Sequence, residues 1–121
     1  MTTARRFNDA INARDAESLG DLMTRDHRFV DVDGNTVVGR AACLEAWRSF
    51  FAAFPTYRNE LATLEERGGV VVITGRSVCH DHPDLDGPAI WTARVVGPAV
   101  AEWRVHDASA DVRGLLGPQH D

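Results

Sequence analysis

This 121-residue chain lacks both an excess of positive charge and a long apolar run. Its 13 basic residues are outnumbered by 18 acidic ones, which gives a formal charge of −5 and no electrostatic footprint typical of nucleic-acid binding. No apolar run approaches the roughly 20 residues that cross a bilayer. We therefore expect neither a nucleic-acid partner nor a membrane span.

Cysteine is scarce, and signals for export or repetition are missing. Cys43 and Cys79 lie in segments predicted to be helix and strand, so we expect reduced thiols in a cytoplasmic protein. The opening residues contain no apolar segment of the secretory kind. Since no repeat or low-complexity stretch is visible, residues 1–121 are expected to form one domain, large enough for its own core.

Several motifs of known chemistry are also missing. No GxGxxG or P-loop string indicates a nucleotide site, and no GxSxG string or Cys–His pairing indicates covalent catalysis. The string HDHPDLD at 80–86 fits no closed zinc pattern and is typical of a solvated loop. We therefore expect no cofactor and no metal.

The hydrophobic pattern predicts helices first and strands later. Ala4, Phe7 and Ile11 form one apolar stripe of a first helix, and a second, shorter helix begins after Asp15. Further elements are expected at 27–38 (a hairpin), 40–54 (a helix ended by Pro55), 57–67, 70–80, 89–96 and 99–107 (strands), and 110–116 (a helical turn). This order indicates an α+β domain, with three helices packed on a curved, mostly antiparallel sheet.

The element order and four strings resemble the nuclear-transport-factor-2-like (NTF2-like) superfamily, in particular its SnoaL-like and ketosteroid-isomerase-like members. The strings are RRFNDAINARDAESLGDLM at 5–23, FVDVDG at 29–34, GRAACLEAWRSFFAAFP at 39–55 and VAEWRVHD at 100–107. The resemblance covers nearly the whole chain and implies a cone-shaped fold, an apolar pocket at its open end and a homodimer. Because this fold carries isomerases, dehydratases, epoxide hydrolases, polyketide cyclases and non-catalytic proteins, it does not determine the reaction.

Asp31 is the first candidate catalytic residue. It lies in phase with Phe29 along a predicted strand, so its carboxylate should share a face with an aromatic ring. Inside a pocket, desolvation would raise the pKa of Asp31 and make it a usable general base. By resemblance, Asp31 takes the place of the proton-shuttling aspartate of ketosteroid isomerases. The alternative is an exposed Asp31, or one paired with Arg28 or Arg58.

The same resemblance argues against a steroid isomerase. Those enzymes stabilise the dienolate with a tyrosine and a protonated aspartate, and the matching positions here hold Phe7 and Trp91. Neither residue supplies an oxygen donor. His80 is a second candidate acid or base, because SnoaL-like proteins often place a histidine at this strand end.

A further alternative is epoxide hydrolysis, since limonene-epoxide-hydrolase-like members use an Asp–Arg–Asp arrangement. Arg94 and Arg104 could supply its arginine only if they face the pocket. Glu102, Arg104 and His106 alternate along the last strand, which is typical of a wet or subunit-facing side. A bulge at 97–98 would exchange the two faces, so their direction stays open.

We therefore predict a domain that binds an apolar, cyclic small molecule and forms a homodimer. The expected chemistry is cofactor-independent proton transfer, as in isomerisation, cyclisation or dehydration, with Asp31 as general base and His80 assisting. The alternatives are a non-catalytic ligand-binding or dimerisation module of the same fold, and an epoxide hydrolase. The residues predicted to contact the ligand are aromatic: Phe7, Phe29, Trp47, Trp91 and Trp103.

Overall fold

The structure, a computed structural model, describes residues 2–108. Three α-helices, six strands and one 3₁₀ turn occur in this part of the chain. They are α1 (Thr2–Ala13), α2 (Ala16–Asp21), β1 (Met23–Val30), β2 (Thr36–Val38), α3 (Arg40–Ala53), β3 (Arg58–Arg67), β4 (Val70–Val78), the 3₁₀ turn (Pro83–Leu85), β5 (Gly87–Val96) and β6 (Ala99–His106). The helical turn expected at 110–116 lies outside the described residues. No helix in residues 2–108 is long and apolar enough to cross a membrane.

The strands form one sheet in the order β2-β1-β6-β5-β4-β3. Neighbouring strands are antiparallel except β1 and β6, which run parallel. The α+β class and the mostly antiparallel sheet expected from the sequence are therefore confirmed. The parallel pair brings the first strand of the chain beside the last, so that the ends of β1 and β6 lie together.

A buried apolar stripe, a capping aspartate and a proline account for the positions of the three helices. The stripe of α1 is fully buried at Ala4, Phe7 and Ile11, which packs this helix into the core. Asp15 caps α2, because its Oδ1 accepts a hydrogen bond of 3.1 Å from the backbone N–H of Ser18. Pro55 follows α3 closely, as a residue that cannot continue a helix.

Register across the strands separates an inner face from an outer face. One cross-strand row lies in the core or packs against it, and it consists of Phe29, Trp103, Ala93 and Val71. The next row along the same strands consists of Val30, Arg104, Thr92 and Val72. Because successive residues of a strand point to opposite faces, this second row defines the outer face, away from the helices.

His27 is a fully buried polar residue of β1. Its Nδ1 lies 2.6 Å from the carbonyl oxygen of Val100, and since a carbonyl only accepts, Nδ1 carries the proton. Its Nε2 has no partner among the described residues. Desolvation lowers the pKa of His27, against the hydrogen bond to Val100, so the ring is a neutral structural link between β1 and β6.

Gly75 permits a close approach of β3 and β4, and this makes a testable prediction. A Cβ at Gly75 would lie 2.0 Å from the backbone oxygen of Glu60, which cannot move without disturbing the strand pair. We expect Gly75→Ala to lower the free energy of unfolding by about 1–3 kcal/mol, as overpacking does. Chemical denaturation followed by circular dichroism measures this loss.

The matched control is Gly20→Ala in α2. Its new Cβ would meet only the end of the Leu44 side chain, at 2.9 Å, and alanine favours a helix over glycine. We expect a change within about 0.5 kcal/mol. Equal losses for both variants would contradict the close approach at Gly75.

Candidate ligand-binding site

A cavity of about 680 Å³ lies between α3 and the inner face of the sheet. It is lined by residues of β1, α3 and β3 to β6, and the segment that contains the 3₁₀ turn forms part of its edge. This volume is within the range of roughly 300–1,000 Å³ that small-molecule sites occupy. The cavity is large enough for a ligand of several fused rings.

Aromatic side chains form part of the cavity wall. Of the aromatic residues predicted to contact a ligand, Phe29, Trp47, Trp91 and Trp103 line it. Phe29 and Trp47 meet edge to face at 5.6 Å between ring centroids, and Trp91 and Trp103 lie 6.4 Å apart. Phe7 is absent from the lining: it is fully buried in the core, where it stacks on Trp103 at 4.9 Å. Phe7 therefore supports the wall from behind.

Asp31 reaches the edge of the cavity, but its carboxylate holds the turn after β1. Its Oδ1 accepts hydrogen bonds of 2.9 Å from the backbone N–H groups of Asp33 and Asn35, and its Oδ2 accepts one of 3.1 Å from the Asn35 side chain. Desolvation alone would raise the pKa of Asp31, yet these hydrogen bonds outweigh it and the pKa is lowered. The raised pKa expected of a buried base is not found.

The two arginines considered as partners of Asp31 pair with other residues. Arg28 contacts Glu102 at 3.3 Å, and Arg58 contacts Glu60 beside it on β3. The Asp31 carboxylate is thus held by hydrogen bonds of its own turn rather than by an arginine.

His80 is exposed and does not line the cavity, so it is not placed to contact a molecule inside it. Later residues of the same loop do line it: Asp84 and Asp86 reach the edge. Asp86 accepts a hydrogen bond of 2.5 Å from the backbone N–H of Cys79, which closes the loop against β4. Within residues 2–108, no group of three or more histidine, cysteine or carboxylate side chains is placed to hold a metal.

Arg94 and Arg104 stay out of the cavity lining in the described part of the chain. Glu102 lies between Arg104, at 3.0 Å, and Arg28 on the outer face. His106 lies at the cavity edge, but its Nε2 is 2.8 Å from the hydroxyl of Thr92, a residue of the outer face. The arrangement that epoxide hydrolysis would require is therefore not assembled.

Sequence reasoning missed three polar residues of the lining, Tyr57, Ser77 and Asn59. The hydroxyls of Tyr57 and Ser77 lie 3.1 Å apart, and burial raises the pKa of Tyr57. Trp47 Nε1 and Asn59 Oδ1 are buried and have no partner among the described residues. An unpartnered buried polar atom costs about 1–3 kcal/mol. No sequence motif marks these residues, because long-range packing alone brings them together.

Charge in the lining has one sign. The lining contains the carboxylates of Asp31, Asp84, Asp86 and Asp107. The chain has no lysine, and no arginine lines the cavity in residues 2–108. The electrostatic potential at the edge therefore disfavours anionic ligands.

The sequence over residues 4–112 matches the family model of the SnoaL-like domain. The chain belongs to the SnoaL-like family. The match begins within α1 and covers every later element described above, so it includes the cavity as well as the sheet. No curated protein sequence matches this SnoaL-like chain.

Solved structures of low identity share the fold of this SnoaL-like domain. A candidate polyketide cyclase from Sinorhizobium meliloti superposes with a TM-score of 0.79 at 16% identity, over 88% of this chain and 94% of its own. A candidate ketosteroid isomerase from Kribbella flavida gives 0.72 at 19%, over 91% and 78%. An NTF2-like protein of unknown function from Cytophaga hutchinsonii gives 0.71 at 12%, over 93% and 90%. At such identities the likeness shows an NTF2-like fold alone.

The hydrogen bonds on Asp31 predict its titration. Carbon-detected NMR, with Asp31→Asn to identify the resonance, should give a pKa below the ordinary aspartate value of 3.8. Since the folded pKa lies below the unfolded one, the stability that Asp31 contributes is present above about pH 4 and is lost as the pH falls through the folded pKa. Asp31→Asn should therefore lower stability at pH 7 and have little effect near pH 2. A pKa above 3.8 would restore the buried-base hypothesis.

Proposed function

We propose that this SnoaL-like domain binds an apolar, cyclic small molecule in the cavity between α3 and the sheet. The observation that carries the proposal is the aromatic part of the wall, in which Trp47 of α3 and Trp91 and Trp103 of the sheet line a cavity of about 680 Å³. Large rings give a flat apolar ligand extensive contact, and their burial by the ligand favours binding.

We further propose that the ligand is uncharged or cationic. The carboxylates at the edge supply negative charge, and the described lining offers an anion neither lysine nor arginine. A carboxylate or phosphate ligand would lose its hydration without gaining an ion pair, which costs free energy. The ligand class is accordingly an apolar molecule without acidic groups.

The second candidate is proton-transfer catalysis on such a ligand, with Asp31 as the base. Its support is the position of Asp31 at the cavity edge and the names of the structural relatives. The turn that uses both carboxylate oxygens favours the non-catalytic function. Catalysis would require a substrate whose acidic C–H group lies at the edge of the cavity.

Nile red, an uncharged fluorescent dye, tests binding. We expect its emission to rise and shift to shorter wavelength with the wild-type protein. Ala89 lines the cavity, so Ala89→Phe should fill part of the site and weaken dye binding by about tenfold or more, equivalent to ~1.4 kcal/mol. Dissociation constants from fluorescence titration make the comparison.

The control is Ala42→Phe, an exposed position of α3 that is not part of the lining. It adds the same ring outside the cavity and should leave the dissociation constant unchanged. Charge is tested by displacement of the dye with 2-naphthol and with 2-naphthoate, of which the anion should be weaker. Equal binding by all three proteins would show that the dye does not occupy the cavity, and stronger displacement by 2-naphthoate would contradict the charge argument.

We also propose a cytoplasmic homodimer that forms through the outer face of the sheet. The helices pack on the inner face, while the outer face contains both buried residues, such as Val30 and Val72, and exposed ones. The outer face combines Val38, which is 64% exposed, with the ion pairs of Glu102 to Arg28 and Arg104. Such a mixed face can contact its own copy about a twofold axis. Both cysteines are free thiols, which supports a reducing compartment.

Sedimentation equilibrium tests the dimer. We expect a dimer at micromolar concentration. Arg94→Glu should weaken the dimer about tenfold or more, because it reverses the charge of an exposed side chain on the outer face, next to Glu102 in the strand register. Arg40→Glu makes the same charge change at the start of α3 and should have no effect. A wild-type monomer at 100 times that concentration would contradict the proposal.

A further inference from the structure

Asn59 is a polar side chain within the cavity lining, only 3% exposed to solvent. It lies near the start of β3, where α1 crosses the sheet. A neutral amide can make several hydrogen bonds, and each one left unmade in a buried site costs free energy. The partners of its four polar groups therefore show which group is left without a hydrogen bond.

Two asparagines of α1 engage every polar group of Asn59 except one. The backbone N–H of Asn59 donates to Asn12 Oδ1 at 2.8 Å, and its backbone oxygen accepts from Asn12 Nδ2 at 2.9 Å. Its side-chain Nδ2 donates to Asn8 Oδ1 at 3.2 Å. Only Asn59 Oδ1 is left, buried and without a partner in the described part of the chain.

The hydrogen bonds determine which end of the Asn59 amide is free. Asn8 Nδ2 is directed at the backbone oxygen of Asn59, at 3.5 Å, which leaves Asn8 Oδ1 to meet the Asn59 side chain. Exchanging the oxygen and nitrogen of Asn59 would place two acceptors against each other. The free atom is consequently an oxygen, which accepts hydrogen bonds and cannot donate them.

Other acceptors of the lining do not compete for the same role. The hydroxyls of Tyr57 and Ser77 already pair with each other, and Asp84 and Asp86 are exposed at the edge. Trp47 Nε1 is a donor. An acceptor that is both buried and unsatisfied is therefore found in this lining at Asn59.

We propose that Asn59 Oδ1 accepts a hydrogen bond from the ligand, and that the ligand of this cavity is an apolar molecule with a hydroxyl or N–H donor. The inference rests on the proposed function, whose ligand class it narrows. A donor on the ligand removes the cost of the unpartnered oxygen, whereas a pure hydrocarbon covers that oxygen and leaves the cost in place.

A pair of near-isosteric ligands tests the donor. The dissociation constants of 2-naphthol and 2-methylnaphthalene are measured by displacement of Nile red from the wild type and from Asn59→Leu. The ratio of the two dissociation constants is used because a change in the hydrophobicity of the site affects both ligands alike. We expect the relative preference for 2-naphthol to fall about 3- to 10-fold in Asn59→Leu, the effect of one hydrogen bond.

Asn12→Ala is the matched control. It removes the side chain that pairs with the Asn59 backbone and weakens the contact between α1 and β3, but it keeps Asn59 Oδ1. We expect lower stability and an unchanged preference for 2-naphthol. An equal loss of preference in Asn12→Ala and Asn59→Leu would assign the effect to general loosening and overturn the proposal.

A measurement on the wild type covers the case in which Asn59→Leu does not fold. Saturation with 2-naphthol should shift the Asn59 side-chain NH₂ signals in ¹⁵N NMR by more than saturation with 2-methylnaphthalene, because a hydrogen bond to Oδ1 polarises the amide. Equal shifts would overturn the proposal. If neither compound displaces the dye or shifts any indole signal of the three tryptophans, the proposed function itself fails. If both compounds bind tightly and the ratio of their dissociation constants is the same in the wild type and in Asn59→Leu, only the role of Asn59 is rejected.

Discussion

The stacking of Phe7 on Trp103 is the contact on which the rest of the structure depends. The two rings lie 4.9 Å apart, and Phe7 brings α1 onto the inner face of the sheet. Trp103 lines the cavity as well, so one side chain is shared by the core and the site. Removing either large ring would cost about 3–5 kcal/mol and would also deform the cavity wall. Trp103 thus links the stability of the core to the shape of the cavity.

The cavity combines apolar walls with polar atoms whose partners are distant in the sequence. Asn8 and Asn12 of α1 hold Asn59 of β3, so a sequence separation of 47 to 51 residues is bridged by amide pairs. Tyr57 and Ser77 satisfy each other in the same way. The polar groups are therefore held rigidly, which reduces the entropy lost when a ligand binds. In the proposed function, such a wall would select a ligand by shape and by one or two hydrogen bonds.

At Asp31, a local turn binds the carboxylate of a residue whose position resembles that of a catalytic aspartate. The string around it matches the place of a catalytic aspartate, and the structure does put Asp31 at the cavity edge. However, the sequence Asp-Gly-Asn that follows supplies a tight turn, with Gly34 at a φ of 89°, and its N–H groups converge on the carboxylate. Hydrogen bonding to the charged form lowers the pKa, which opposes the desolvation that a base requires. Asp31 therefore has the position of a catalytic base but not the raised pKa that such a base requires.

The sequence by itself determined the α+β class, the order of the elements and most of the aromatic wall. Periods of 3.6 and 2 in the apolar residues are local properties, and they identify helices and strands before any packing is known. Phe29, Trp47, Trp91 and Trp103 were predicted as ligand contacts and do line the cavity, and Trp91 and Trp103 lie on the same face of two neighbouring strands.

Tertiary structure alone decided which of these residues line the cavity and which polar atoms of the described residues have no partner. Phe7 has the same chemistry as Phe29, yet the crossing of α1 puts it behind Trp103. Asn59 occurs in an unremarkable strand sequence, and its free oxygen exists only because Asn8 and Asn12 occupy its other groups. Such pairings depend on helix position and strand register over long sequence separations, and no local pattern encodes them.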